Sequence, residues 1–243
     1  MTTSSHAADL ARQTCTAPAE RSDRMRDIVV AAAPGGAIRV LDLGCGTGSL
    51  VRRLADALPD ASIVGIDISP ANIEAARRAN AGAGGRVRYE VADYLRFEAD
   101  PFDVVVSDGV LHLVDADTSA LVEKLAKDVR PGGVFVCDMP YACAYNTAFA
   151  VVRRLLRSIR ASWTDELIFQ IARALHGRQM DAGSLRERVA YMYLAPKRVM
   201  NDRLMVAFAS AGLRRTAEYA ARSTSPSQLR HRVTVFVRDE AAR

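Results

Sequence analysis

Cysteine and long apolar runs are scarce in this sequence of 243 residues, and each shortage argues against a class of protein. The four cysteines form no C-x-x-C pair, so neither a zinc site nor a disulfide framework is expected, and free thiols in a reducing cytoplasm are the simplest account. No stretch reaches the roughly 18 apolar residues that a membrane-spanning helix needs. Residues 1–20 lack the basic segment and apolar run of a secretory signal. We therefore expect a cytoplasmic globular protein with no bound metal.

The two halves of the chain carry opposite charge. Residues 1–140 contain 15 Lys and Arg against 20 acidic residues, whereas residues 141–243 contain 18 against 8. A basic half can attract nucleic acid, anionic lipid or an acidic metabolite. The alternative is that its arginines lie on the solvated faces of amphipathic helices. Composition alone leaves both interpretations open.

Short β-branched runs alternate with helical patterns between residues 37 and 138, which indicates a β-α-β-α order and a parallel sheet. Strands are predicted at residues 38–42, 62–66, 86–91, 102–107 and 134–137. Helices are predicted at residues 49–58, 70–80 and 118–129. The second of these helices has a strong start signal, because Ser69 can cap it and Pro70 suits its first turn.

The pattern changes after residue 139, where helical segments follow one another without a convincing strand. In residues 147–162 the apolar side chains fall on one helix face and the arginines on the other. Ser162 with Asp165 predicts a capping box for the next helix. A last helix is predicted at 196–211. Two alternating segments, 216–222 and 231–238, then predict an antiparallel strand pair at the sheet edge.

These patterns divide the chain into four predicted regions. They are an N-terminal helical segment (1–36), an α/β core (37–139), a helical lid that shapes the substrate site (140–200), and a C-terminal helix and strand pair that complete the sheet (201–243).

The most informative feature is the run Val40-Leu41-Asp42-Leu43-Gly44-Cys45-Gly46-Thr47-Gly48, in which an apolar strand ends in three alternating glycines before a helix. Glycine permits positive φ and close approach of a ligand, and the free N–H groups at a helix start suit polar ligand groups. A dinucleotide site would need G-x-G-x-x-G, but Ser49 stands at its last position. The run resembles the first motif of the class I S-adenosylmethionine (SAM) dependent methyltransferases, whose glycine loop holds the amino acid end of SAM.

This resemblance implies SAM as the cofactor and a doubly wound, seven-stranded, mostly parallel α/β sheet. In that family an antiparallel seventh strand lies between the fifth and the sixth. The predicted helical segments then form an insertion after the fifth strand.

The expected cofactor residues follow the carboxyl ends of the strands, where ligands bind in open α/β sheets. Asp67 closes the second strand and matches the family's acid that accepts both ribose hydroxyls. Asp93 and Tyr94 resemble the family's adenine contact, with Leu95 as an alternative to Tyr94 along the ring. Asp42 is expected either to reach the ammonium group of SAM or to bond the glycine loop. The full expected set is Asp42, Gly44, Cys45, Gly46, Gly48, Asp67, Ile68, Asp93, Tyr94 and Ser107.

His112 is the candidate catalytic residue, because it is the only histidine near the predicted carboxyl edge of the sheet. An imidazole can act as a general base near neutral pH. The alternative is that His112 only packs beside SAM. For His6, His176 and His231 we expect structural roles.

Two further groups are candidates for contact with small molecules at this edge. Tyr141 and Tyr145 follow the fifth strand and are the candidate substrate residues. An arginine before the first strand, Arg21, Arg24 or Arg26, is a candidate for holding the carboxylate of SAM.

The segment Val106–His112 favours a small-molecule acceptor. It lacks the Asn/Asp-Pro-Pro-Tyr/Phe element of the base amino-methyltransferases that act on DNA and RNA, and it carries an apolar-His pair instead. We therefore expect methyl transfer to oxygen or nitrogen of a small molecule such as a secondary metabolite, with nucleic acid disfavoured. An RNA or protein acceptor and a non-catalytic SAM-binding partner module stay open. The helical insertion is a candidate homodimer interface.

Overall fold

A single sheet of seven strands forms the centre of the protein. The computed structural model describes residues 17, 19–81, 84–177, 181–220 and 228–240. The strands are β1 (Arg39–Leu43), β2 (Ser62–Asp67), β3 (Val87–Val91), β4 (Phe102–Asp108), β5 (Val129–Pro140), β6 (Leu213–Ala220) and β7 (His231–Arg238). Their order is β3-β2-β1-β4-β5-β7-β6, with β1 to β5 parallel and β7 antiparallel to β5 and β6. This order confirms the predicted fold class, including the antiparallel seventh strand.

Helices cover both faces of the sheet and fill the stretch after β5. They are α1 (Ala19–Ala32), α2 (Ser49–Ala57), α3 (Pro70–Ala79), α4 (Thr118–Asp128), α5 (Ala144–Ser158), α6 (Ser162–His176), α7 (Ala182–Val189) and α8 (Asp202–Ser210), with short 3-10 helices at Leu111–Leu113 and Ala190–Tyr193. The predicted N-terminal segment before residue 17, including His6 and Cys15, lies outside the described residues.

The predicted start of α3 is confirmed, since the Ser69 hydroxyl accepts a hydrogen bond from the backbone N–H of Asn72 and Pro70 occupies the first turn. The starts of α8, α6, β5 and β6 differ from the prediction, and β6 begins at Leu213 rather than at residue 216. Helix α8 begins at Asp202 rather than at residue 196, because Met200 is held in extended pairing with Pro140 and Ala142. The Asn201 side chain then caps the helix by accepting from Leu204 N–H at 2.9 Å.

The start of α6 also differs from the predicted capping box of Ser162 and Asp165. Ala161 is the N-cap, and the Thr164 hydroxyl accepts a hydrogen bond from its backbone N–H at 2.8 Å. The N-cap and the start of the helix therefore lie one residue earlier than predicted. Strand β5 is also longer than predicted. Residues 130–133 belong to the strand, as an irregularity in its pairing with β4, and do not form a turn before it.

A cluster of three phenylalanines joins α8 to the sheet on one face. Phe135 of β5 stacks on Phe236 of β7 with ring centroids 5.8 Å apart, and Phe208 of α8 lies 4.7 Å from Phe236 and 5.9 Å from Phe135. All three side chains are fully buried. The cluster fixes the position of β7, which brings its first residues to the same edge as the end of β5.

Replacing Phe208 by alanine should lower the free energy of unfolding by about 3–5 kcal/mol, since it removes a fully buried aromatic ring and leaves a cavity. Urea titration followed by circular dichroism measures this change. Val206→Ala on the same helix is the matched control, because Val206 is 64% exposed and its truncation should change stability by no more than about 0.5 kcal/mol. Equal losses for the two variants would contradict this description of the core.

Candidate functional site

Four strands of the parallel sheet bring an aspartate to the same edge. Asp67, Asp108 and Asp138 lie at or near the carboxyl ends of β2, β4 and β5, and Asp42 lies one residue before the end of β1. Asp108 and Asp138 are neighbours in the β4–β5 register. This edge therefore concentrates negative charge where open α/β sheets bind ligands.

The glycine loop connects β1 to α2 above this edge. Gly44, Gly46 and Gly48 have φ values of 76°, 53° and 76°, in the left-handed region that favours glycine. A Cβ at Gly48 would lie 2.6 Å from the Tyr89 hydroxyl, and one at Gly44 would overlap the Val110 side chain. The alternating glycines are therefore required by backbone conformation and, at two of them, by close packing.

Asp67 ties the glycine loop to the start of α3. Its carboxylate accepts hydrogen bonds from the backbone N–H of Gly46 at 2.9 Å and of Ser69 at 2.8 Å, and from the Asn72 side chain at 3.1 Å. The structure thus brings together Gly46 and Asp67, which lie 21 positions apart in the sequence, and the Asp67 side chain remains partly exposed.

Asp42 is buried directly below the loop, with only 1% of its surface exposed. Neither carboxylate oxygen has a hydrogen-bond partner within the part of the chain that the structure describes. Burial, followed by the negative charges of Asp108 and Asp67, raises its pKa well above the usual range. A buried carboxylate in this state gains most from an added cationic group.

The remaining predicted cofactor residues differ in how accessible they are. Asp93 is exposed, and its carboxylate accepts a hydrogen bond from Leu95 N–H at 3.1 Å. Tyr94 instead packs into the core, with Lys124 over its ring at 4.8 Å, so that Leu95 is the surface side chain of this pair.

Cys45, Ile68 and Ser107 complete the predicted set. Cys45 is buried, which raises the pKa of its thiol, and Ile68 is half-buried beside Asp67. The hydroxyl of Ser107 is fully buried and accepts a hydrogen bond from Leu111 N–H at 3.2 Å, which supports the 3-10 helix that carries His112.

One arginine of α1 bridges the ends of β4 and β5. The Arg21 guanidinium lies 2.6 Å from the Asp108 carboxylate and 2.7 Å from that of Asp138. Burial alone would raise the pKa of Asp138, but Arg21 and His231 lower it to about 2. Burial raises the pKa of Asp108 against the opposing charge of Arg21. Arg21 is therefore occupied by protein carboxylates.

The other two arginines considered for the SAM carboxylate are also engaged with the protein. Arg24 donates to the backbone carbonyl of Ala220, and Arg26 pairs with Asp27 and Asp23.

His112 lies beside a second histidine. Its ring meets that of His231 edge-on, with centroids 5.4 Å apart, and Nδ1 of His231 lies 3.3 Å from an Asp138 carboxylate oxygen. Nδ1 of His112 is buried without a hydrogen-bond partner in the described ranges. Burial is the main cause that lowers the pKa of His112 well below its usual value, and the electrostatic effect of His231 acts in the same direction. The His112 imidazole is therefore neutral near pH 7.

The two candidate substrate tyrosines lie next to arginines at the junction of β5, α5 and β7. Arg232 lies over the Tyr141 ring at 4.1 Å, and Arg230 lies over the Tyr145 ring at 4.6 Å. Buried Asn146 donates to the carbonyls of Tyr141 and Arg230, and its own side-chain oxygen accepts from Arg230 N–H. This amide fixes the start of α5 against the entry to β7.

Sequence reasoning missed the roles of Arg21 and His231 and gave Asp138 no specific role. Asp138 carries a sequence signal, since it ends a strand. The position of His231 becomes visible only once β7 is placed beside β5. For Arg21 the sequence offers no signal beyond its lying in a helix before β1.

Among the described residues no cluster of His, Cys, Asp and Glu could hold a metal ion. No helix of the described residues is long and apolar enough to cross a bilayer.

Comparisons with known proteins agree with this geometry. Residues 40–133 match the family described as "Methyltransferase domain". The ubiquinone biosynthesis O-methyltransferase of Chelativorans sp. strain BNC1 is 38% identical over 106 residues, which cover 43% of this chain and 41% of that protein. The trans-aconitate 2-methyltransferase of Methylobacterium nodulans is 33% identical over 122 residues, covering 50% and 45%. The chain thus spans less than half the length of these curated relatives.

A solved structure extends the similarity in fold to nearly the whole chain. The N-methyltransferase NodS of Bradyrhizobium japonicum WM9, in complex with S-adenosyl-L-homocysteine, superposes with a TM-score of 0.61 at 16% identity, covering 98% of each chain. The strand order, the glycine loop and the match over residues 40–133 lead to one conclusion: the chain contains a methyltransferase domain and has the fold of the class I methyltransferases.

Proposed function

We propose that this protein binds SAM at the edge formed by Asp42, the glycine loop and Asp67, and transfers its methyl group to oxygen or nitrogen of a small molecule. The observation that carries the proposal is the Asp42 carboxylate, buried below the loop without a hydrogen-bond partner in the described structure. Such a group is costly unless a ligand compensates it. The cationic end of SAM is a ligand of the right charge.

The residues present fit this cofactor in three respects. Asp42 offers a buried carboxyl whose ionised form an ammonium group would stabilise, and the glycine loop offers backbone close to the ligand. Asp67 is partly exposed and keeps acceptor capacity for ribose hydroxyls beyond the three hydrogen bonds that it already accepts. Asp93, with Leu95 beside it, would receive the adenine. SAM supplies an electrophilic methyl group attached to a sulfonium.

The chain's own contribution to the reaction would be to position the acceptor and receive its proton. Holding the acceptor in line with the methyl group accounts for about 7–11 kcal/mol of barrier lowering in well-oriented reactions. His112 would take the acceptor's proton, because its imidazole is neutral at working pH. His231, paired with Asp138, would hold the His112 ring in place. Tyr141 and Tyr145 would line the acceptor pocket, and the helices after β5 would exclude water as a lid.

The names of the relatives support a small-molecule acceptor. One is a ubiquinone biosynthesis O-methyltransferase and another a trans-aconitate 2-methyltransferase. Labelled-methyl transfer to a fractionated metabolite extract, with mass spectrometry of the product, would identify the acceptor of this protein and the atom methylated. Tight cofactor binding without transfer to any fraction would contradict the enzymatic proposal and favour a SAM-binding partner module.

Replacing Asp42 by asparagine should weaken S-adenosylhomocysteine binding about ten- to hundredfold, because the amide keeps the shape of the side chain and loses its negative charge. Isothermal titration calorimetry measures the change. Asp56→Asn on α2 is the matched control, since Asp56 is exposed and should leave the affinity unchanged. Unchanged binding by Asp42→Asn would give Asp42 a structural role only, and no binding by the unaltered protein would overturn the proposal.

Replacing His112 by glutamine should lower kcat by about 10²- to 10⁴-fold while S-adenosylhomocysteine affinity changes little, because only the proton acceptor is lost. A histidine works as a base when unprotonated, and burial lowers the pKa of His112. We therefore expect kcat to stay level from pH 8 to below pH 6.5, the usual histidine pKa, and to fall only in more acidic solution.

A pH series on the unaltered protein and on His112→Gln checks both parts of this prediction. If the acidic fall persists with the same midpoint in His112→Gln, another group is responsible for it.

A further inference from the structure

Helix α5 presents its apolar stripe to solvent. Val151, Val152, Leu155 and Ile159 are 46–62% exposed. On a helix of 3.6 residues per turn they share an arc of about 100°. The side chains that α5 buries, Asn146, Ala150 and Arg153, lie on the opposite face.

Helix α6 repeats this arrangement. Trp163, Leu167, Ile171 and Leu175 recur every fourth residue and are 51–61% exposed. The helix packs through a different face, where Thr164, Ile168 and Phe169 are buried against the following helices. Together these eight exposed side chains of α5 and α6 are called the outer apolar face below.

Hydrogen bonds fix the outward orientation of α5. The buried Arg153 guanidinium donates to the carbonyl of Leu194 at 2.9 Å, and Asn146 is bonded to the backbone of Tyr141 and Arg230. Turning the apolar stripe inward would break these bonds and expose the buried side that carries Asn146, Ala150 and Arg153.

The surroundings of this face are cationic. Helix α5 carries three arginines and no acidic residue; Arg153 is buried, and Arg154 lies exposed beside the stripe. On α6 Arg173 is exposed, and the acidic Asp165 and Glu166 pair with Arg160 and Arg186. An exposed apolar stripe that includes tryptophan and is flanked by arginines is the pattern of a helix that lies in the interface of a membrane with anionic lipids.

We propose that the outer apolar face docks onto the surface of an anionic lipid bilayer, with the apolar side chains in the acyl–headgroup boundary and the arginines at the headgroups. A second copy of this chain is the less suitable occupant, because a two-fold contact would bring the arginines of both α5 helices together. The proposal does not depend on methyl transfer, since it rests on residues outside the cofactor site.

Trp163 is the only tryptophan in the sequence, so intrinsic fluorescence reports directly from this face. Vesicles of equal parts phosphatidylglycerol and phosphatidylcholine should shift its emission to shorter wavelength and carry the protein with them on flotation. Pure phosphatidylcholine vesicles should do neither to the same extent. Raising salt from about 0.01 M to about 1 M shortens the Debye length from about 30 Å to about 3 Å and should weaken the binding.

Two double variants test the two components separately. Leu155→Gln/Leu167→Gln should lower vesicle affinity at least about tenfold, because two exposed leucines no longer enter the apolar boundary. Arg154→Glu/Arg173→Glu should remove the preference for anionic vesicles. Val206→Gln is the matched control, since Val206 is 64% exposed on α8, away from this face, and should leave binding unchanged.

Circular dichroism and S-adenosylhomocysteine binding of each variant verify that it is folded, which separates a failure of docking from a failure of the cofactor site. Absence of any emission shift with anionic vesicles would overturn the proposal. A lipid-free dimer in sedimentation experiments that Leu155→Gln/Leu167→Gln dissociates would overturn it as well, and would assign the face to a second copy.

Discussion

The structure depends on how charge is balanced at one edge of its sheet. Parallel strands align their carboxyl ends, so Asp42, Asp67, Asp108 and Asp138 come together in partly or fully buried positions. Each of three has a partner: backbone and amide N–H groups hold Asp67, and Arg21 bridges Asp108 and Asp138. Asp42 has no hydrogen-bond partner among the described residues. A positive group would stabilise its ionised form, next to a loop whose glycines keep the backbone accessible.

The same charge balance divides this edge of the sheet into two parts. Asp42 and Asp67 face the loop after β1, whereas Arg21 closes off the pair of carboxylates at β4 and β5. His231 then shares Asp138 with Arg21 and stands against His112. A neutral histidine is thus held beside the His231–Asp138 pair.

Much of this could be predicted from local sequence. The first four strands, the glycine loop and the capping of α3 by Ser69 depend on neighbouring residues and on hydrophobic period, and they lie within one residue of the prediction. The contacts of Arg21 and His231 were not predicted. Arg21 contacts residues 87 or more positions away, and His231 reaches its partners only because β7 lies beside β5. Tyr94 was assigned to the adenine because it follows a strand, but side-chain direction there turns it into the core.

Helix α5 shows a further limit of pattern reading. The periodicity of Val151, Leu155 and Ile159 identifies an apolar face but does not state which face packs against the protein. In most surface helices the apolar face packs, because burial of apolar area is the main stabilising term. Here the hydrogen bonds of Asn146 and Arg153 determine the rotation of the helix, and the apolar face is turned outward. Exposed apolar area of this kind lowers stability in water, so its presence argues for an environment in which it is covered.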